Sequence, residues 1–125
     1  MVKTVLIVDD EPDMRMIAAA RLKKIGYLVL EAADGQEGID IIRSHKPDLV
    51  LLDLALPILN GYEVCRQSKN GSETKDIPII LFTASVLTHS IAEKTKEFGA
   101  NDYIIKPFEH SVLEEKIRRV LGEVD

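Results

Sequence analysis

An α/β fold, with a parallel sheet covered by helices on both faces, is the architecture this sequence predicts. Three observations predict it. Five short apolar runs rich in β-branched residues recur along the chain. Stretches with helical spacing of apolar residues separate them. Each separating stretch is long enough to hold a helix and return the chain in parallel register.

The first run is Val5-Leu6-Ile7-Val8. The third, fourth and fifth are Leu49-Val50-Leu51-Leu52, Ile79-Ile80-Leu81-Phe82 and Tyr103-Ile104-Ile105. Such unbroken apolar runs predict strands buried on both faces. The second, Leu28-Val29-Leu30, is a shorter strand. After the first run, Met14, Ile17, Ala18, Arg21, Leu22 and Ile25 share one helical face. Pro12 suits its first turn and Gly26 the residue past its last. Ile39 and Ile42 mark a second helix, and Val64, Cys65 and Ser68 one face of a third. Ile91, Ala92, Thr95 and Phe98 make a fourth, closed by Gly99. Val112, Leu113, Ile117, Val120 and Leu121 make a fifth, closed by Gly122. Lys69 to Asp76, rich in Asn, Gly, Ser and charge, reads as the loop before the fourth strand.

A chain of 125 residues fits one domain with one real core, here residues 1–125, with no output domain after the fifth helix. Apolar residues make up 46% and charged residues 30%, the balance of a soluble globular chain. Net charge is −5, from 21 acidic against 16 basic residues. Nucleic-acid binders draw their affinity from basic surplus, so direct binding of nucleic acid is not expected. No apolar run is long enough for a membrane span, and no signal-peptide pattern opens the chain. The single cysteine, Cys65, rules out an internal disulfide and reads as a small buried hydrophobe. These features suit a cytoplasmic protein.

Open α/β sheets bind ligands beyond the carboxyl ends of their strands. Those positions hold Asp9-Asp10-Glu11, Asp53, Thr83-Ala84-Ser85 and Lys106-Pro107. Taken alone, Asp9-Asp10 suits a helix N-terminus, Thr83 is an ordinary strand former, and Lys106 a surface residue. Asp53 resists that treatment. It follows four apolar residues, and the next helix begins only after Asn60-Gly61, too late for Asp53 to cap it. A carboxylate there is costly unless paired or functional.

Neighbouring strand ends lie about 5 Å apart, so these side chains converge on one cavity. Three carboxylates oppose one another's ionisation, and a divalent cation offsets that repulsion. Oxygen donors with open water positions suit magnesium, or manganese in its place. A carboxylate nucleophile, a cation, a lysine and a hydroxyl suit phosphoryl transfer. Neither the Walker A pattern nor the dinucleotide fingerprint is present, so the phosphoryl donor is another protein or a small molecule.

These segments, from Lys3 to Leu121, resemble the response-regulator receiver family. The likeness is carried by Val5 to Glu11, by Pro47 to Asp53 with Pro57 and Gly61, by Ile79 to Ala84, and by Tyr103 to Phe108. It implies a flavodoxin-like, five-stranded sheet in 2-1-3-4-5 order with five helices, and a cis bond before Pro107. It implies Asp53 as phosphoacceptor and Asp10, with Asp9 partly through water, as magnesium-binding acids. The Ala55 backbone carbonyl falls at a third protein ligand. Thr83 matches the switch hydroxyl, Lys106 the phosphoryl-contacting lysine, and Tyr103 the aromatic switch residue. The implied partner is a sensor histidine kinase or histidine phosphotransfer protein, and the implied output is an altered surface on the fourth helix, fifth strand and fifth helix. Ala55 and Ser85 depart from frequent family choices at places that tune self-dephosphorylation. Leu56 stands where Met is common and Asn60 where Asp is common.

An enzyme is the competing class: an aspartyl-phosphate phosphohydrolase of haloacid-dehalogenase type. That group carries a second acid two positions after its nucleophile, and here that position is Ala55. A flavodoxin-like binding module needs a Ser-, Thr- and Gly-rich loop after the first strand, where this chain has Asp-Asp-Glu.

Overall fold

The structure is a computed structural model that describes residues 2–84 and 88–123; in the fourth helix, side chains are described from Ile91 onward. Strands β1 (Thr4–Val8), β2 (Leu28–Ala32), β3 (Leu49–Leu52), β4 (Ile79–Thr83) and β5 (Asp102–Ile105) alternate with helices along the chain. The helices are α1 (Pro12–Lys24), α2 (Gly35–His45), α3 (Gly61–Asn70), α4 (Thr88–Phe98) and α5 (His110–Val120). All strand pairs are parallel, in the order β2-β1-β3-β4-β5. The expected fold is the observed one.

Alternation along the strands sorts the core into two layers. Leu6, Val8, Val50, Leu52, Ile79 and Leu81 pack with Ile39, Ile42, Val64, Cys65 and Ile91 of α2, α3 and α4. Val5, Ile7, Leu49, Leu51, Ile80 and Phe82 pack with Ala18, Leu22, Leu113 and Ile117 of α1 and α5. Each fully buried Leu or Ile contributes about 1.5–3 kcal/mol of transfer free energy, so both faces of the sheet carry much of the fold's apolar stabilisation. Cys65 is buried as expected, and that burial pushes its thiol up to about 12.

Some sequence expectations need correction. β3 and β4 are buried along their whole length and β1 from Val5 onward, but β5 has only Ile104 fully buried. It is an edge strand, so one flank has no neighbour to cover it. Ile17 was expected on the core face of α1 but is 50% exposed. The helix buries Ala18 and Leu22 as expected and adds Ala19, a small residue that lets its backbone approach the sheet. Val112 is likewise exposed, while Leu113 and Ile117 anchor α5. The loop before β4 is shorter than expected, since α3 continues through Lys69 and Asn70. The Lys69 ammonium donates to the carbonyls of Ile77 and Lys75, which ties the last turn of the helix to the segment beyond it. β2 is longer than its apolar run, because Glu31 and Ala32 continue the pairing with β1.

Candidate functional site

Sheet register builds the site. Val8 of β1 pairs with Leu52 of β3, so Asp9 and Asp53 leave adjacent strands side by side. The Asp53 amide donates to the Val8 carbonyl at 3.0 Å, and the Asp9 amide donates to the Ala32 carbonyl at 3.0 Å. Thr83 pairs with Ile105, and the Lys106 amide donates to the Thr83 carbonyl at 3.0 Å. Four strand ends therefore deliver Asp9, Asp53, Thr83 and Lys106 to one rim. The resulting cleft, about 290 Å³, is lined by Asp10, Glu11, Asp53, Ala55, Thr83, Ala84 and Lys106. Asp10 itself is exposed at its mouth. Ser85 lies outside the described residues.

Lys106 is the hub of the cleft. Its ammonium lies 2.7 Å from Asp9 Oδ2 and 3.0 Å from Asp53 Oδ2, with Glu11 at 3.8 Å. All three principal partners are buried: Asp9 at 0%, Asp53 at 4% and Lys106 at 6% exposure. Asp9 has little capacity left. Its Oδ1 accepts from the Glu11 amide at 3.0 Å while its Oδ2 holds Lys106. Asp53 is engaged in the same way, with Oδ1 accepting from the Ala55 amide at 3.1 Å and Oδ2 from Lys106, but it lines the cleft, which Asp9 does not.

Burial and these contacts set how Asp53 and Lys106 titrate. Burial pushes the Asp53 carboxyl above its ordinary value, and the Ala55 amide and Lys106 only partly offset it. Burial alone would lower Lys106, but hydrogen bonds to Asp9 and Asp53 outweigh it and hold the ammonium above its ordinary value. One cation serves two acids, so the cation is secure and each acid receives only a share of it.

An oxygen from each of Asp9, Asp10 and Asp53 lies within 4.8 Å of the others. This all-oxygen, carboxylate-rich set fits a hard divalent cation such as magnesium. The loop after β3 closes under Asp53 because position 61 is glycine. A Cβ there would sit 2.7 Å from the Asp53 carbonyl oxygen. Asn60 then caps α3 by accepting from the Glu63 amide at 3.0 Å, which leaves Asp53 free of any capping duty. In the same loop Ile58 has φ +68 and is 80% exposed. A left-handed conformation costs an L-residue about 1–2 kcal/mol, and more strain falls on a β-branched one. Because its side chain is barely buried, Ile58→Gly is expected to raise stability by up to about 1 kcal/mol after glycine's entropy is counted. Urea denaturation checks this, and a destabilised variant would mean that the side chain is held by its surroundings.

Tyr103 lies outside the cleft, half-buried on β5 opposite Leu81. The Lys116 ammonium sits 4.6 Å from its ring centroid and donates to its carbonyl at 2.5 Å and to Asp102 at 3.2 Å. The Lys106–Pro107 peptide is cis, as expected. Sequence reasoning missed Arg15, which donates to the Asp9 carbonyl at 2.7 Å and to Glu31 at 3.1 Å. An arginine on an amphipathic helix carries no motif, and its contact is to backbone.

Comparisons with known proteins agree with this geometry. Residues 5–118 match the response regulator receiver domain. The chain is 44% identical over 123 residues to a probable transcriptional regulator, ycf27, of Porphyridium aerugineum, covering 97% of this chain and 49% of that protein. It is 43% identical over 119 residues to the phosphate regulon transcriptional regulatory protein PhoB of Pseudomonas aeruginosa, covering 95% and 52%. The chain thus spans about half the length of these curated relatives. Among solved structures, the chemotaxis response regulator CheY4 of Vibrio cholerae superposes with a TM-score of 0.89 at 28% identity, covering 96% of this chain and 99% of that one. The receiver domain of the sensor histidine kinase PA1611 from Pseudomonas aeruginosa, with a magnesium ion in its active-site cleft, gives 0.89 at 30% identity, covering 98% and 99%.

Proposed function

The chain belongs to the response regulator receiver domain family, and from that premise we propose that it takes a phosphoryl group onto Asp53 in a magnesium-dependent step. The receiver is a module of two-component signalling and not a conventional enzyme. Nothing favours the phosphohydrolase alternative, since Ala55 still stands where that chemistry needs an acid. The observation that carries the reading is the Lys106 ammonium poised between Asp9 and Asp53 in a cleft that also holds Asp10 and Thr83.

A magnesium or manganese ion would be held by Asp10, Asp53 and the Ala55 carbonyl, with Asp9 acting through water, and would neutralise charge on the transferring oxygens. The Asp53 carboxylate attacks phosphorus. A bond from its oxygen to phosphorus forms, and the bond to the donor's nitrogen or oxygen breaks, with its electrons leaving on the donor. Lys106 then exchanges its carboxylate partner for a phosphoryl oxygen, and the Thr83 hydroxyl donates to another. The donor is a sensor histidine kinase or phosphotransfer protein, in the cytoplasm. Among the described residues no helix is long and apolar enough to cross a membrane.

The added charge changes what Thr83 and Lys106 face. As Thr83 moves toward the phosphoryl group, Tyr103 turns inward and the α4–β5–α5 surface changes for a partner. A swing from 1:99 to 99:1 needs about 5.5 kcal/mol. Two or three charge-assisted hydrogen bonds, at about 1.5–3 kcal/mol each, approach that. Incubation with acetyl phosphate and magnesium is expected to add the mass of one phosphoryl group per chain, and excess chelator to prevent it. Labelling that ignores the chelator, or none at all, would remove the proposal.

A further inference from the structure

We infer that Arg15 is a positioning residue for the cation site, holding the peptide between Asp9 and Asp10 so that the second acid faces the cleft. This rests on the reading of the cleft as a divalent-cation site. Asp9 is immobilised by its own contacts: its amide on Ala32, its carboxylate on the Glu11 amide and Lys106. Asp10 is exposed and lies on the loop beyond the strand. What carries the direction of Asp9 over to Asp10 is the peptide unit they share. Its carbonyl oxygen accepts from Arg15 Nη1 at 2.7 Å.

The guanidinium is itself anchored. Nε donates to Glu31 Oε1 at 3.1 Å, and the Arg15 side chain is only 19% exposed. One planar fork therefore ties three elements together: α1, which carries it; the β1–α1 loop, through Asp9; and the end of β2, through Glu31. A lysine cannot make both contacts in that fixed geometry.

The contact is also electrostatically adverse for cation binding, which separates positioning from charge. A permanent positive charge beside three clustered acids repels a divalent ion. If Arg15 acted only through its field, removing it would tighten cation binding. If it acts by orienting the loop, removing it weakens binding despite the gain in negative potential.

The test uses manganese binding followed by electron paramagnetic resonance, with magnesium affinity from competition. Arg15→Gln is expected to weaken affinity by at least about tenfold, the lower end of the effect of removing an outer-shell partner. Arg15→Lys, which keeps the charge and one donor, is expected to fall between this variant and wild type. Glu31→Gln keeps an acceptor for Nε and is expected to stay within about threefold of wild type, since the outer-shell hydrogen bond survives. At saturating magnesium, the rate of labelling by acetyl phosphate should return to the wild-type value in every variant. Equal or tighter binding in Arg15→Gln overturns the inference and leaves the cleft's assignment standing. If that variant does not fold, Arg15→Lys binding as well as wild type overturns it. A wild-type chain that binds no manganese overturns both.

Discussion

Asp53→Asn is expected to abolish labelling by acetyl phosphate while leaving the fold intact and, near neutral pH, more stable. The loss is expected to be complete because no neighbouring acid both sits on a strand end and lines the cleft as Asp53 does. Asp9 is fully buried and does not line the cleft. Asp10 and Glu11 are exposed on the loop beyond β1 and are not held on a strand end. An asparagine amide keeps the shape and can still accept from Lys106, but it cannot form an acyl phosphate. The stability gain follows from the direction of the Asp53 shift. Burial raises this acid in the folded state above its ordinary value of 3.8. The folded chain then holds that proton more tightly than the unfolded chain does. Wild-type stability therefore falls as pH climbs from 3.8 through the raised folded value, and the asparagine variant escapes that loss. Below 3.8 both states are protonated and the difference vanishes. Intact mass after acetyl phosphate, with thermal melting across pH, reads both effects. Retained labelling would move the acceptor elsewhere, and an advantage that persists at low pH would put its cause outside this carboxyl.

Lys106→Met is expected to cost about 3 kcal/mol in metal-free buffer at neutral pH, the lower end for breaking a buried ion pair. Methionine fills similar space but leaves Asp9 and Asp53 adjacent and buried without a cation. Asp53, which burial already raises, would lose a contact that offsets that rise. The penalty is therefore greatest when both are ionised, and it shrinks as pH falls and they become neutral. Magnesium should restore more stability to the variant than to wild type, because an ion bound only by the folded state stabilises it in proportion to its affinity. Urea denaturation with and without magnesium at two pH values decides the matter. A loss indifferent to both would show that the lysine acts through packing, to which its contact 4.9 Å from the Phe82 ring centroid belongs.

The sheet and most of the site were legible in the sequence for one physical reason. A strand buried on both faces must be unbroken in its apolar character, so the first polar residue after it marks the rim. Asp9, Asp53, Thr83 and Lys106 are all such residues, and the register places them together. Burial that depends on which strands lie at the edge was not legible. β5 reads like β4 in sequence, yet its place at the end of the order leaves Asp102, Tyr103 and Ile105 half-covered. The periodicity of α1 placed Ala18 and Leu22 inward correctly but also Ile17, while close approach to the sheet favoured Ala19. Neither the left-handed Ile58 nor the grip of Arg15 on a carbonyl leaves a trace in residue type.

The edge position of β5 has a mechanical consequence. The ammonium shared by Asp9 and Asp53 is covalently continuous with an edge strand. A change in how that side chain is shared is expected to be felt three residues back at the margin, where Lys116 holds Tyr103. Thermodynamic reciprocity runs the message backward too: anything that seats on the margin and prefers one arrangement of the peptide must alter ion affinity in the interior by the same factor.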